Sequence, residues 1–194
     1  YIIDSLCYWA SEYHIDGFRF DLMGVLDIET LNEARKALLK INPDIIMYGE
    51  GWTGGESTLP ESERGMKINA PRTPGIGMFS DDIRDAVKGH VFYMDELGFV
   101  NGAADRGEEL KQAVTCAKWA KSPMQSINYL SCHDNYTLWD RFIISNSHES
   151  EEMRIRMNKL AAAILFTAQG IPFFLHGEEF ARTKISEADG APVE

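Results

Sequence analysis

Three acidic side chains stand at the ends of short apolar runs: Asp21 after residues 15–20, Glu50 after residues 45–49, and Asp134 after residues 126–132. Two carboxylates placed this way can share one reaction, in which one attacks and the other gives a proton. Retaining glycoside hydrolases need two carboxyl groups about 5–5.5 Å apart. Arg19 lies two residues before Asp21. Side chains alternate across a strand, so Arg19 and Asp21 are expected on one face, with Phe18 and Phe20 on the other. A guanidinium beside Asp21 suits a nucleophile, which has to be ionised. Of two neighbouring acids the more buried keeps its proton and serves as general acid, and Glu50 is given that part. A single Asp at a strand end is more often a helix cap or a turn residue. Three acids on separate strands, with an Arg facing one of them, weigh against that plainer reading. His133, directly before Asp134, suits contact with substrate hydroxyls. Trp52, just after Glu50, divides evenly between loop packing and stacking on a sugar ring.

The elements that must position these groups alternate along the chain. Residues 1–14 place Ile2, Leu6, Trp9 and Tyr13 at helical spacing, which predicts a helix with one apolar face. Residues 15–21 alternate as a strand. Asp27 is a plausible N-cap for a helix over 28–40, which Asn42-Pro43 stops. Residues 45–50 read as a second strand, followed by a long loop over 51–77 of substrate-facing length. A third strand is expected at 78–80, then helices over 81–88 and 107–120, with 89–106 irregular. Residues 126–132 read as a fourth strand, 151–168 as a helix and 173–176 as a fifth strand. Strands alternating with helices imply parallel β/α units. Chemistry in such barrels gathers where the strands end, and the three acids stand there. A full barrel takes about 250 residues. The expectation is an α/β chain carrying about strands 4 to 8 of a (β/α)8 TIM barrel. Residues 1–194 would then be the C-terminal portion of a catalytic barrel, with N-terminal strands and flanking domains outside it.

Composition narrows the partners. Apolar residues at 44% exclude a disordered chain. A net charge of −11 disfavours nucleic acid and anionic lipid but leaves a neutral glucan unaffected. Cys7, Cys116 and Cys132 are odd in number and lack C-x-x-C spacing, so neither a disulfide framework nor a zinc site is expected. His90, His133, His148 and His176 show no H-x-x-x-H spacing. No cofactor is implied. Calcium would suit oxygen-rich loops, though no loop spells an EF-hand. No apolar run is long enough for a membrane span, and no signal peptide is visible. Cytoplasmic and secreted settings fit equally, and nothing in the residues specifies an oligomeric state.

Gly17-Phe18-Arg19-Phe20-Asp21, Gly49-Glu50-Gly51-Trp52 and His133-Asp134-Asn135 resemble three ordered motifs of the α-amylase family, glycoside hydrolase family 13. Finer features are similar to its debranching branch, the type I pullulanases. They are Asp21-Leu22-Met23-Gly24, the run from Asp81-Asp82-Ile83-Arg84 to Lys88-Gly89, Thr137-Leu138-Trp139-Asp140, and Gly177-Glu178-Glu179-Phe180 with Arg182-Thr183-Lys184. The resemblance implies a barrel fold, Asp21 as nucleophile, Glu50 as acid and base, and Asp134 as a hydroxyl-binding stabiliser. Arg19 would hold Asp21, and His133 would touch the same glucose unit. The bond implied is the α-1,6 branch of pullulan, starch or glycogen limit dextrin. Three parts of the family pattern are absent: an early Asp and His motif, an upstream Tyr-Asn-Trp-Gly-Tyr stretch, and an Asn-Ser-Tyr stretch after Lys184, where this chain has Ile185-Ser186-Glu187-Ala188-Asp189-Gly190. Competing expectations are an isoamylase-like or other family hydrolase or transglycosylase, and an inactive carbohydrate-binding barrel piece. The 194 residues alone are expected to be inactive.

Overall fold

The computed structural model describes residues 1–186 and 188–193; Glu187, within the divergent tail, and Glu194 lie outside the described residues. The chain divides into two compact units, residues 1–79 with 119–127 and residues 80–118 with 128–194. Five short strands form one sheet in chain order: β1 (Gly17–Phe20), β2 (Ile46–Gly49), β3 (Gly77–Ser80), β4 (Ser126–Asn128) and β5 (Ile171–Pro172). The pairings of β1 with β2 and of β2 with β3 are parallel. The α/β class expected from the alternation is therefore present.

In the first unit, α1 (Ile2–Tyr13) and α2 (Ile28–Leu38) pack beside the strands. Asp27 caps α2 as expected: its carboxylate accepts the Thr30 N–H at 2.7 Å, and those bonds hold the Asp27 carboxyl below its ordinary value. Leu31 and Leu38 point inward and are almost sealed. Each contributes about 1.5–3 kcal/mol by leaving water. Phe18 and Phe20 join the same core, which places the phenyl rings on the helix side of β1. The buried face of α1 differs from the expected one. Ile3, Leu6, Cys7 and Ala10 meet the core, while Trp9 and Tyr13 are exposed and their ring centroids lie 4.6 Å apart. The apolar positions of α1 run nearly all round the helix, so periodicity alone does not single out one stripe. The loop over 51–77 is also more ordered than expected, with 3₁₀ turns at Glu61–Glu63 and Lys67–Arg72. Its later part is tied by Gln125, whose amide donates to the carbonyl oxygens of Ala70 and Thr73.

The second unit contains α3 (Asp81–Lys88), α4 (Gly107–Thr115), α5 (Leu138–Ser145) and α6 (Glu151–Thr167) around a core of Ile83, Val87, Leu130, Phe142 and Leu165. Helix α4 stops five residues earlier than expected, at Thr115. Strand β4 ends at Asn128 instead of residue 132, and β5 lies at Ile171–Pro172, ahead of the expected 173–176. Helix α5 was not expected. On α6 the buried stripe is Met157, Ala161 and Leu165, while Met153, Leu160 and Phe166 are exposed. Among the described residues no helix is long and apolar enough to cross a membrane.

Candidate active site

The parallel register sets the first pair of carboxylates side by side. Arg19 pairs with Tyr48 and Phe20 with Gly49. The Glu50 N–H continues the ladder by donating to Phe20 O at 3.0 Å. Asp21 and Glu50 therefore leave adjacent strands at the same level. An oxygen of one lies within 4.8 Å of an oxygen of the other. Their environments differ sharply: the Asp21 side chain is 59% exposed and that of Glu50 is 2% exposed.

Arg19 joins the two. One guanidinium nitrogen, Nη1, donates to Asp21 Oδ1, and the other, Nη2, donates to Glu50 Oε1 at 2.5 Å. Arg19 was expected to hold Asp21; that it also holds Glu50 is a finding of the structure. The planar fork of an arginine is suited to serving two acceptors at once. The second Glu50 oxygen, Oε2, accepts the Leu22 N–H at 2.7 Å. Leu22 itself sits in the left-handed region, with φ at 44°, a conformation that L side chains adopt at some cost. This turn aims the Leu22 N–H at Glu50, a role that a leucine's side-chain type does not announce.

Gly24 closes the far side of the turn. Its N–H donates to Glu50 O and Trp52 O at 3.2 and 3.1 Å. A Cβ on Gly24 would strike the Trp52 carbonyl, so only glycine lets these backbones approach. Trp52 is half-buried, and the Lys67 ammonium lies 5.3 Å from its ring centroid. One approach to the indole is thus covered by protein.

In the second unit His133 and Asp134 sit together on the loop after β4, both exposed, with His133 Nε2 3.4 Å from Asp134 Oδ1. The loop is pinned at its base, where Ser131 Oγ accepts the Leu138 N–H at 2.8 Å. Asn135, next in the chain, has φ at 60°. So the residues proposed from sequence fall into a cluster of Arg19, Asp21, Glu50 and the nearby Trp52 in one unit, and the His133–Asp134 pair in the other.

No protein-family model matches the chain. A pullulanase of Bacillus subtilis strain 168 is 40% identical over 191 residues, covering 95% of this chain and 26% of the relative. The pullulanase of Anoxybacillus sp. LM18-11, solved with maltotetraose, superposes with a TM-score of 0.92 at 48% identity, covering 94% of this chain and 27% of that one. The pullulanase of Paenibacillus barengoltzii, solved with maltohexaose and α-cyclodextrin, gives 0.89 at 48% identity, covering 94% of this chain and 29% of that one. The chain spans about a quarter of the length of the relatives it matches. Over that segment its homologues are pullulanases, and the chain is similar to a partial pullulanase-type domain.

Proposed function

We propose that this chain is part of the (β/α)8 catalytic barrel of a retaining α-glycoside hydrolase, about strands 4 to 8, that cleaves α-1,6 branch links in pullulan, starch or glycogen limit dextrins. The observation that carries the reading is the Asp21–Arg19–Glu50 cluster at the ends of adjacent parallel strands. Its carboxylate spacing suits a retaining mechanism, in which the two groups stand about 5–5.5 Å apart. The family's solved members with bound maltooligosaccharides support the substrate class.

In this reading Asp21, the more exposed carboxylate, attacks the anomeric carbon while the bond to the leaving oxygen breaks. Glu50 delivers the proton to that oxygen. Water then displaces Asp21, and Glu50 takes the water's proton. Both Glu50 oxygens accept hydrogen bonds, from Arg19 and from the Leu22 N–H, so delivering a proton requires Glu50 to release one of them. Arg19 keeps the two carboxyl groups in register through both steps. Asp134 and His133 are assigned to binding sugar hydroxyls. Trp52 offers the ring face away from Lys67 for stacking.

The test is maltotriose release from pullulan, compared with amylose, by the full-length protein that contains this segment. Glu50→Gln should lower turnover by about 10²–10⁴-fold, the usual worth of a general acid–base group. Unchanged turnover in that variant would end Glu50's assignment. Cleavage of amylose but not pullulan would move the assignment to an α-1,4-acting family member.

A further inference from the structure

The turn that carries Asp134 is gripped by a single ammonium group from a distant part of the chain. Lys184 Nζ donates to His133 O at 3.1 Å and to Asn135 O at 2.6 Å, the carbonyls on either side of Asp134. The peptide that enters Asp134 and the Asn135–Tyr136 peptide beyond it are thus bridged, which closes the turn between them and confines the direction of the Asp134 Cα–Cβ bond. The turn needs such a grip. Asn135 sits in the left-handed region, and residues held in sparsely populated backbone conformations persist where their surroundings over-determine them.

Lys184 is in turn fixed from below. Its own N–H donates to Asp140 Oδ2 at 2.8 Å, and the same oxygen accepts the Thr137 hydroxyl at 2.8 Å. Asp140 is fully buried. Thr137 begins α5, so the clamp is anchored in a helix and not in another loop. The path runs from α5 through Asp140 to Lys184, and from Lys184 back to the turn.

We propose that Lys184 is a positioning residue: it sets the backbone of residues 133–135, and through it the placement of Asp134, without itself touching substrate. The proposal rests on the functional reading above for its kinetic consequence, but not for the clamp. Displacing a reacting or binding group by about 1 Å can cost on the order of 10²-fold in rate.

The variants are Lys184→Met, which keeps the stem and backbone N–H, Lys184→Arg, which keeps donors, and Lys184→Gln, which keeps one amide donor should the apolar variant fail to fold. In the full-length protein, kcat and KM on pullulan are measured beside hydrogen–deuterium exchange of residues 131–138. Lys184→Met should lower kcat by about 10- to 100-fold with a smaller change in KM and speed exchange in that segment. Lys184→Arg should restore most of both, and Lys184→Gln should fall between. Unchanged kcat with unchanged exchange overturns the proposal. A fall in kcat with unchanged exchange also overturns it, because the lysine would then act on substrate directly. An unmodified protein inactive on every α-glucan sinks the functional reading alone, since faster exchange in Lys184→Met would still establish the clamp.

Discussion

Arg19 is the residue on which the two carboxylates of the first unit converge. Its pairing with Asp21 is readable from the two-residue spacing on a strand. Its bond to Glu50 is not, because that contact depends on the register between β1 and β2. A lysine has one point charge in place of a planar fork. Arg19→Lys should therefore lower turnover on pullulan by about 10²-fold or more while leaving the melting temperature nearly unchanged, as checked by steady-state kinetics beside a thermal melt. A second residue-scale prediction concerns two buried groups of the second unit, Lys88 and Glu178. Burial pushes the Glu178 carboxyl up to about 7, against the opposing pull of Lys88. Burial, aided by Arg84, pushes the Lys88 ammonium down to about 7. Glu178 holds its proton more tightly folded than unfolded. The stability it lends is complete below its ordinary value of 4.5 and is lost as pH rises through about 7. Lys88 runs the other way, its contribution complete above 10.5 and lost as pH falls through about 7. Together they produce a trough near neutral pH. In melting temperature followed across pH, Glu178→Gln should remove the decline on the acid side of the trough and Lys88→Met the rise on the alkaline side. Slopes left intact by both changes would disprove the linkage.

Elements show why some positions were legible and others were not. Helix α3 matches its expectation at both ends, since Asp81 and Asp82 favour its first turn and Gly89 ends it. Gly89 has φ at 88°, and a Cβ there would strike the Glu96 carbonyl. Helix α5 has its sequence signal in Thr137, followed three residues later by Asp140. Thr137 Oγ1 accepts the Asp140 N–H at 3.1 Å, and its hydroxyl donates to Asp140 Oδ2. Thr137→Ala should destabilise the protein by about 1–2 kcal/mol, at the upper end for a lost N-cap, because a buried carboxylate oxygen also loses a donor. Urea unfolding checks this, and a loss under about 0.3 kcal/mol would deny the cap its weight. The expected length of β4 failed for a different reason. Residues 129–132 have strand-like types, but Tyr129 accepts a hydrogen bond from Arg84 at 2.6 Å, and Ser131 Oγ bonds the start of α5. Side-chain type does not report that the backbone leaves the ladder after Asn128.

At the scale of the whole molecule, the chain presents large apolar side chains to solvent, among them Tyr8, Trp9, Ile46 and Phe166. It also ends its sheet on strands β1 and β5, each with one neighbour. Exposed strand edges and apolar patches favour association. The 194 residues expressed alone should therefore associate in sedimentation runs and release no reducing sugar from pullulan. A monodisperse, active preparation would contradict the proposal that they form only part of a barrel. Residue order alone was enough to establish the α/β alternation, the cap at Asp27, and the placing of Asp21 and Glu50 directly after strands. These follow from short-range periodicity, backbone sterics and local hydrogen bonding, which are properties of neighbouring residues. It did not establish which stripe of α1 or α6 is buried, that Arg19 binds Glu50 as well as Asp21, or that Lys184 grips the turn of Asp134. Those depend on strand register and on contacts between residues up to 51 positions apart, and only the packed chain decides them.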